Sequence, residues 1–457
     1  MSDAPDTIAA IATAPGRGGI GIVRVSGPGV ATIVAGIIGR ALAPRVATAA
    51  SFRGTCGESL DEGLALFFPA PHSYTGEAVL ELHGHGGPTV LRLVLARCVE
   101  LGARLAQPGE FTQRAFLNGK LDLVQAEGVA DLIDAATATA ARAAVRSLSG
   151  EFSRAIDALV LALIELRTLV EASLDFPDED LGFVHAAGAI GSLAALRKQV
   201  AGIIERAAQG ALLREGLVAV LVGRPNVGKS SLLNRLTGED IAIVTPIPGT
   251  TRDTVHSDVE IHGIPLAVVD TAGLRPTDDP IEALGIERTW AAVARANVVL
   301  VMVDAKSQAA GVDAADAEIL ARLPSALPRI VVHNKIDLVA LAPKATRAAQ
   351  ADSTRHVWLS AKTGEGIELL RREILTLTGT HADMEDTFLA RERHLTALRE
   401  AATHLDRAAA QLEAAVPPLE LLAEELRGAQ TALSVITGAF TADDLLGEIF
   451  ARFCIGK

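Results

Sequence analysis

An apolar run, Leu217–Val222, leads directly into Gly223-Arg-Pro-Asn226-Val227-Gly228-Lys229-Ser230-Ser231, and a helical pattern follows through Leu236. This succession of buried strand, glycine-bearing loop and helix constrains the fold more than any other feature of the chain. The glycines let successive backbone N–H groups wrap a cluster of anionic oxygens, and the helix N-terminus adds positive potential. A chance glycine-rich turn would need neither the strand before it nor the helix after it. The loop predicts an α/β domain that holds a nucleotide by its phosphates. Lys229 is expected to bridge the β- and γ-phosphates, and the Ser230 hydroxyl to ligate Mg²⁺.

Three further motifs follow in order, each after a strand-like run. Asp270-Thr271-Ala272-Gly273 closes the run Leu266–Asp270; Asp270 would hold Mg²⁺ through water, and the Gly273 N–H would sense the γ-phosphate. Asn334-Lys335-Ile336-Asp337 follows Ile330–His333. A carboxylate at Asp337 can accept both hydrogens from N1 and the exocyclic amine of guanine, a pair adenine lacks, so the expected nucleotide is GTP. Ser360-Ala361-Lys362 has the form of the loop that closes over the guanine O6. Singly, the asparagine–lysine–aspartate motif is weak; four motifs in this order are specific.

The group that would orient the attacking water is less evident. Many small GTPases place a glutamine after the Asp-x-x-Gly motif, and here that place holds Leu274. The segment Arg275–Gly285 offers Arg275, Asp278, Asp279 and Glu282, which can equally be a solvated loop. Asn226 gives a second lead. Its amide oxygen could ligate a monovalent cation beside the phosphates, with hydroxyls and carbonyls from Thr245-Pro-Ile247-Pro-Gly-Thr250-Thr251 completing the oxygen shell. Such a cation would act as an arginine finger does. Equally, Asn226 could hydrogen-bond only within its own loop.

The rest of the chain brackets this block. Residues 1–120 read as mixed α/β, with strands at Ile20–Val25 and Ala78–His83, a helix at Thr89–Leu101, and glycine-rich turns at Gly16–Gly21 and Gly84–Gly87. From 121 the period becomes helical: Phe152, Ile156, Leu159, Leu163, Leu166 and Val170 form one stripe. The acidic run Asp175–Asp180, with Pro177, should interrupt it. Helical periodicity returns after 380 with Leu395, Leu398, Leu405 and Leu412. The expected architecture is multidomain, α/β plus all-α. It has an N-terminal α/β domain (1–120), a discontinuous helical bundle (121–215 with 381–457), and a P-loop domain (216–380) inserted between the bundle's halves.

Composition narrows the class. With 457 residues, 49% of them hydrophobic, the chain can bury several cores. No apolar run reaches the roughly 18–20 residues of a membrane span. Three scattered cysteines, Cys56, Cys98 and Cys454, argue against a disulfide framework and for a reducing cytoplasm. A net charge of −13 means that any RNA contact is local or shared with a partner. Gly16–Gly21 resembles a dinucleotide fingerprint but precedes a strand instead of a helix. His83 and His85 lack a third ligand nearby, so a turn is favoured over a zinc site.

At this point the sequence resembles the MnmE (TrmE) family of tRNA-modification GTPases over nearly its whole length. The resemblance rests on Gly16–Arg24, Leu80–Gly87, Gly109–Glu127, Gly223–Ser231, Gly249–Asp253, Asp270–Arg275 and the terminal Cys454-Ile-Gly-Lys457. It implies a folate-binding-like N-terminal domain, which also dimerises, and a Ras-like inserted G domain. It implies a GTP hydrolase that works with an FAD-dependent partner, in a heterotetramer or larger assembly, on C5 of the wobble uridine of certain tRNAs. A 5-formyl- or 5,10-methylene-tetrahydrofolate would supply the one-carbon unit. Carried over, Asn226, Thr245, Ile247 (by its carbonyl) and Thr250 would be potassium ligands. Ser230 and Thr251 would be Mg²⁺ ligands, and Glu282, beside Lys229, the catalytic residue that orients water. Arg24, Glu81, Lys120 and Lys457 would contact folate, and Cys454 stands where the family has its cysteine. The resemblance also implies a homodimer whose G domains pair transiently. A ribosome-assembly GTPase is the competing class; it would carry a second G domain or a basic RNA-binding module.

Overall fold

The computed structural model describes residues 6–175, 188–224, 226–239, 256–270, 296–306, 327–347, 354–379, 387–414, 417–439, 443–451 and 453–456. By contacts the chain divides into two units. One gathers Met1–Ile133, Arg146–Ala201 and Thr396–Lys457; the other gathers Asp134–Val145 and Gly202–Leu395.

The first unit opens with six strands: β1 (Ile8–Ile11), β2 (Gly18–Ser26), β3 (Thr48–Arg53), β4 (Ser59–Phe68), β5 (Val79–Gly86) and β6 (Arg104–Leu105). Their order across the sheet is β3-β4-β5-β2-β1-β6, antiparallel except for the pairing of β1 with β6. Alternation sends Val23, Val25, Leu80, Leu82, Phe52 and Ala65 to one face. Helices α1 (Val30–Ile37) and α2 (Pro88–Glu100) cover that face with Ile33, Ile37, Leu91 and Val94. Cys98 lies in this core, and burial pushes its thiol up to about 12, which leaves it inert as a nucleophile. Helix α3 (Glu110–Leu117) follows β6.

Gly84–Gly87 is not a turn as the sequence suggested. β5 runs through Gly86, pairing Leu64 with His83. The glycines nearby serve close approach: a Cβ at Gly63 would lie 2.0 Å from the His83 carbonyl oxygen.

The helices α4 (Leu123–Asp134), α5 (Ala138–Leu148), α6 (Glu151–Asp175) and α7 (Ala189–Glu215) come next. The expected stripe on α6, from Phe152 to Val170, is at most 5% exposed. Burying six large side chains contributes about 1.5–3 kcal/mol each. That exceeds what helix propensity alone provides. The expected interruption around Pro177 falls outside the described residues.

In the second unit seven strands form the order β12-β13-β11-β10-β7-β9-β8. They are β7 (Leu217–Gly223), β8 (His256–Ile261), β9 (Ile264–Asp270), β10 (Val298–Asp304), β11 (Arg329–Asn334), β12 (Lys344–Arg347) and β13 (Arg355–Trp358). The five inner strands are parallel, and β8 and β12 are antiparallel edges. β7 and β10 read as continuous apolar runs because a parallel sheet buries both faces. Helix α8 (Lys229–Glu239) follows the phosphate loop and α9 (Ile367–Leu377) follows β13.

This unit also carries pieces of helix from outside the expected P-loop segment. Thr137, 7% exposed, caps α5: its Oγ1 accepts from the Ala140 N–H at 3.1 Å and donates to the Gly263 carbonyl at 2.7 Å. Gly263 sits at φ +87° in the two-residue turn between β8 and β9. A Cβ there would be strained and would lie 2.3 Å from Thr139 Oγ1. On α7, a Cβ at Gly210 would lie 1.9 Å from the Phe388 carbonyl oxygen, and the Arg206 guanidinium stands over the Phe388 ring.

The chain ends with α10 (Glu392–Leu412), α11 (Leu419–Thr437) and α12 (Asp443–Ala451). In the first unit α11 packs along α6, burying Leu422, Leu426, Ala429 and Leu433. After α12, the Gly109 N–H donates to the Cys454 carbonyl at 3.3 Å, and Pro108 bridges to Ile455.

Candidate functional site

The carboxyl ends of four parallel strands, β9, β7, β10 and β11, carry Asp270, Gly223, Asp304 and Asn334. The chain winds outward in both directions from β7, so this edge is the crevice where open α/β sheets bind ligands. The phosphate loop crosses it. Asn226 sits at φ +64° and Gly228 at φ +100°, and α8 begins at Lys229. The Lys229 ammonium donates to the Gly223 carbonyl, folding back over the loop. Ser230 and Ser231 are exposed in the first turn of α8 and Asn226 is exposed in the loop, while Val227 is buried beneath it.

Asn334, 2% exposed, ties the loop to the rest of the site. Its Nδ2 donates to the Val227 carbonyl at 2.7 Å, and its Oδ1 accepts from the Ala361 N–H at 2.9 Å. A Cβ at Gly228 would lie 2.3 Å from that Nδ2, so the position requires glycine for space as well as for φ. Ser360, fully buried, donates from Oγ to Asp337 Oδ1 at 2.7 Å and accepts from the Thr363 N–H. One carboxylate oxygen of Asp337 is thus held while the carboxylate stays an acceptor.

Lys335 adopts a left-handed backbone, φ +68°, and its ammonium pairs with Asp304 at 2.8 Å. That hydrogen bond holds the Asp304 carboxyl below its ordinary range. Beside this edge the His333 ring stacks on Trp358, centroids 4.3 Å apart, and bonds His356 at 3.1 Å. Burial lowers His333 to about 4, with the neighbouring His356 and Lys344 acting the same way.

The structure therefore brings together Gly223, Val227, Gly228, Lys229, Asn334, Lys335, Asp337, Ser360 and Ala361. Thr245, Ile247, Thr250, Thr251, Thr271, Ala272, Gly273, Leu274 and Glu282 lie outside the described residues, and of Asp270 only the strand position is described. The nucleotide fits what is present: a loop free of side-chain bulk at Gly228, a helix N-terminus, and the Asp337 carboxylate oriented by Ser360. Sequence reasoning passed over Asp304 and the Asn334–Val227 tie. Only the position of Asp304 at a strand's carboxyl end could have marked it.

A second cluster forms in the first unit. Arg24 Nε donates to Glu81 Oε1 at 2.9 Å, and its Nη1 donates to the Gly456 carbonyl at 3.4 Å. The guanidinium faces the Tyr74 and Phe111 rings at 5.6 and 5.8 Å, and His83 bonds the other Glu81 oxygen. Burial raises the Tyr74 phenol, whose oxygen lies 2.8 Å from Thr112 Oγ1. Lys120 is exposed after α3, its stem lying over Gly76. Cys454 is exposed, and Lys457 is outside the described residues. Tyr74 and Phe111 carried no sequence signal for this cluster, and His83 had been weighed only as a metal ligand. Among the described residues no three His, Cys, Asp or Glu side chains gather as a metal site. No helix among them is long and apolar enough to cross a membrane.

Comparison with known proteins matches nearly the whole chain. Residues 7–120 match the family described as GTP-binding protein TrmE N-terminus, and residues 123–454 match the MnmE helical domain. The tRNA modification GTPase MnmE of Azoarcus sp. (strain BH72) is 61% identical over 453 residues, covering 99% of this chain and 98% of the relative. The protein of the same name from Thiobacillus denitrificans is also 61% identical over 453 residues, with the same coverage. That of Dechloromonas aromatica is 60% identical over 452 residues, covering 99% of each chain. With relatives this similar over their whole length, and family models matching residues 7–120 and 123–454, the chain belongs to the MnmE family of tRNA modification GTPases.

Proposed function

We propose that this chain is a potassium-stimulated GTP hydrolase acting on C5 of the wobble uridine, position 34, of certain tRNAs. It works with an FAD-dependent partner protein in a heterotetramer or larger assembly, in the cytoplasm. The observation that carries the nucleotide half is the tie from Asn334 to both Val227 and Ala361 beside the Ser360–Asp337 pair. The tRNA half rests on the family.

In this reading the phosphate loop binds the phosphates, and Lys229 leaves Gly223 to meet the γ-phosphate. Ser230 and Thr251 hold Mg²⁺, which supplies positive charge to the leaving oxygens. Asn226, Thr245, the Ile247 carbonyl and Thr250 hold potassium, and Glu282 orients the water. The exposure of Asn226, on a left-handed backbone that asparagine tolerates, supports its role.

The domains proposed for these roles are residues 1–120 for folate and dimerisation, 121–215 with 381–457 as the helical domain, and 216–380 as the G domain. Arg24, Glu81, Lys120 and Lys457 bind the tetrahydrofolate, which supplies the one-carbon unit. The convergence of Arg24, Glu81 and the Gly456 carbonyl supports this set. Cys454, exposed in the same C-terminal segment, is the candidate for a catalytic role. The homodimer formed through residues 1–120 keeps two G domains at high effective concentration, so that they pair across the nucleotide in the transition state.

Mass spectrometry of tRNA nucleosides from cells lacking the protein tests the reading. The expected result is loss of the C5 substituent at position 34, restored by the intact chain and not by Lys229→Ala. An unchanged wobble uridine refutes it.

A further inference from the structure

Asp304 belongs to neither the phosphate loop nor the base-reading motifs, yet its carboxylate is held by two donors, one of them from the base-reading motif, and its strand end is bonded to that motif. Its Oδ2 accepts from the Lys335 ammonium at 2.8 Å, and its Oδ1 accepts from the Lys306 N–H at 2.9 Å. One residue on, the Ala305 N–H donates to the Asn334 carbonyl at 2.8 Å, and Asp304 itself is paired in register with Asn334. Lys335 stands between the two residues that face the base, in the left-handed region a lysine rarely adopts. Its carbonyl accepts from the Leu338 N–H at 3.0 Å, opening the short 3₁₀ turn Ile336–Leu338 that carries Asp337. A side chain anchored at its far end removes the rotamer freedom that would let this backbone relax to an ordinary conformation.

We propose that Asp304 is a positioning residue for guanine recognition, anchoring the Lys335 ammonium so that the left-handed turn presents Asn334 and Asp337 to the base. The proposal rests on Asp337 being the group that reads guanine. Two features favour it over simple charge neutralisation. Asp304 and Lys335 are partly shielded, at 23% and 30% side-chain exposure, so the pair is screened less than a surface one. Both Asp304 oxygens are also directed by separate donors, so the carboxylate cannot follow Lys335 if the turn moves.

The test compares GDP with inosine diphosphate, which lacks the exocyclic amine. The full chain is used as the wild type and as Asp304→Ala, Asp304→Asn and Asp337→Asn, with melting curves to establish folding. Asp304→Ala should weaken GDP binding about tenfold, the scale of one charge-assisted hydrogen bond acting through a neighbour. Inosine diphosphate should weaken much less, so the preference for guanine narrows. Asp304→Asn keeps an acceptor for Lys335 but loses its charge, and should give a narrowing intermediate between the wild type and Asp304→Ala. An equal loss for both nucleotides, or no loss, overturns the proposal, because a purely structural role lowers both alike. If Asp304→Ala does not fold, Asp304→Asn decides alone: an intermediate narrowing supports the proposal, and an unchanged ratio overturns it. Asp337→Asn separates the two layers. If it leaves the preference for guanine intact, the base-reading assignment itself fails. If it shifts that preference and the Asp304 variants do not, only the positioning role fails.

Discussion

Asn334→Ala should uncouple the phosphate loop from the guanine loop. The asparagine side chain is buried and makes one bond to each: a donor to the Val227 carbonyl and an acceptor for the Ala361 N–H. Alanine leaves both backbone groups without their partner, and both residues are buried, at 6% and 3% exposure. Each orphaned group costs about 1–3 kcal/mol. The space left by the amide can admit a water that recovers part of this, so the lower bound of about 2 kcal/mol for the pair is the working figure. Both bonds lie within the protein, so the cost falls first on the stability of the unit that holds them. In a domain of roughly 150–250 residues, 1 kcal/mol moves the melting temperature by about 2–4 °C, so the shift should be at least about 4 °C. Calorimetry of the full chain measures it. The affected transition is the one that GDP raises, since ligand at about 100 times its dissociation constant adds about 2.7 kcal/mol to the unit that binds it. GDP affinity, read by fluorescence titration, should also fall, because the two loops no longer share a fixed spacing. A melting temperature within 2 °C of the wild type together with unchanged GDP affinity would refute the reasoning.

Four further outcomes are expected. GTP hydrolysis should be much faster in potassium than in sodium, and Asn226→Ala should abolish the difference while still binding nucleotide; equal turnover in the two salts defeats the cation assignment. Asp337→Asn replaces an acceptor with a mixed donor–acceptor amide, so GTP binding should weaken and xanthosine triphosphate should be tolerated; unchanged GTP affinity contradicts it. Because burial holds His333 near 4 in the fold, the unfolded chain takes up its proton first as pH falls. The stability it contributes is present above about 6.5 and is lost as pH falls from there toward 4, and His333→Gln should flatten that part of the pH–stability curve measured by urea unfolding. The full chain should bind a formyl- or methylene-tetrahydrofolate without nucleotide, giving heat in calorimetry that Arg24→Ala removes; binding undiminished by that substitution rules out the Arg24 cluster as the folate site.

What was legible in the sequence was local. The runs Leu217–Val222 and Leu266–Asp270 show a parallel sheet because burial on both faces leaves no polar alternation. The phosphate loop declares itself because its chemistry lies within nine consecutive residues. The stripe on α6 was equally plain, since one buried face repeats at helical spacing. Contacts between distant segments left no such trace. Arg24 meets the Gly456 carbonyl across 432 residues of sequence. Asp304 reaches Lys335 only because β10 and β11 are neighbours in register. Gly84–Gly87 was read as a turn because glycines cluster there, whereas β5 runs on through Gly86 and Gly63 opposite lets β4 and β5 approach. Helical periodicity likewise gives no sign that the first turns of α5 pack on the β8–β9 turn instead of in the bundle.

That last contact bears on where the molecule can be cut. An excised fragment spanning 216–380 would lose Thr137, and with it the hydroxyl that satisfies the Gly263 carbonyl. It would also lose Gly210 and Phe388, whose backbones meet so closely that not even a methyl group fits between them. The sheet's outer hairpin, β8–β9, would be left with its tip bare, and that hairpin is bounded by residues 240–255 on one side and 271–295 on the other. Those are the segments that carry the proposed cation ligands and Glu282. The shortest continuous stretch that keeps every piece of this unit runs from Asp134 to Leu395 and takes in α6, whose apolar stripe would then be stripped of α11. The nucleotide-binding unit is therefore not a portable module. Its severance exposes either a turn or a helix face, and rates measured on a fragment would describe a hairpin released from its clasp.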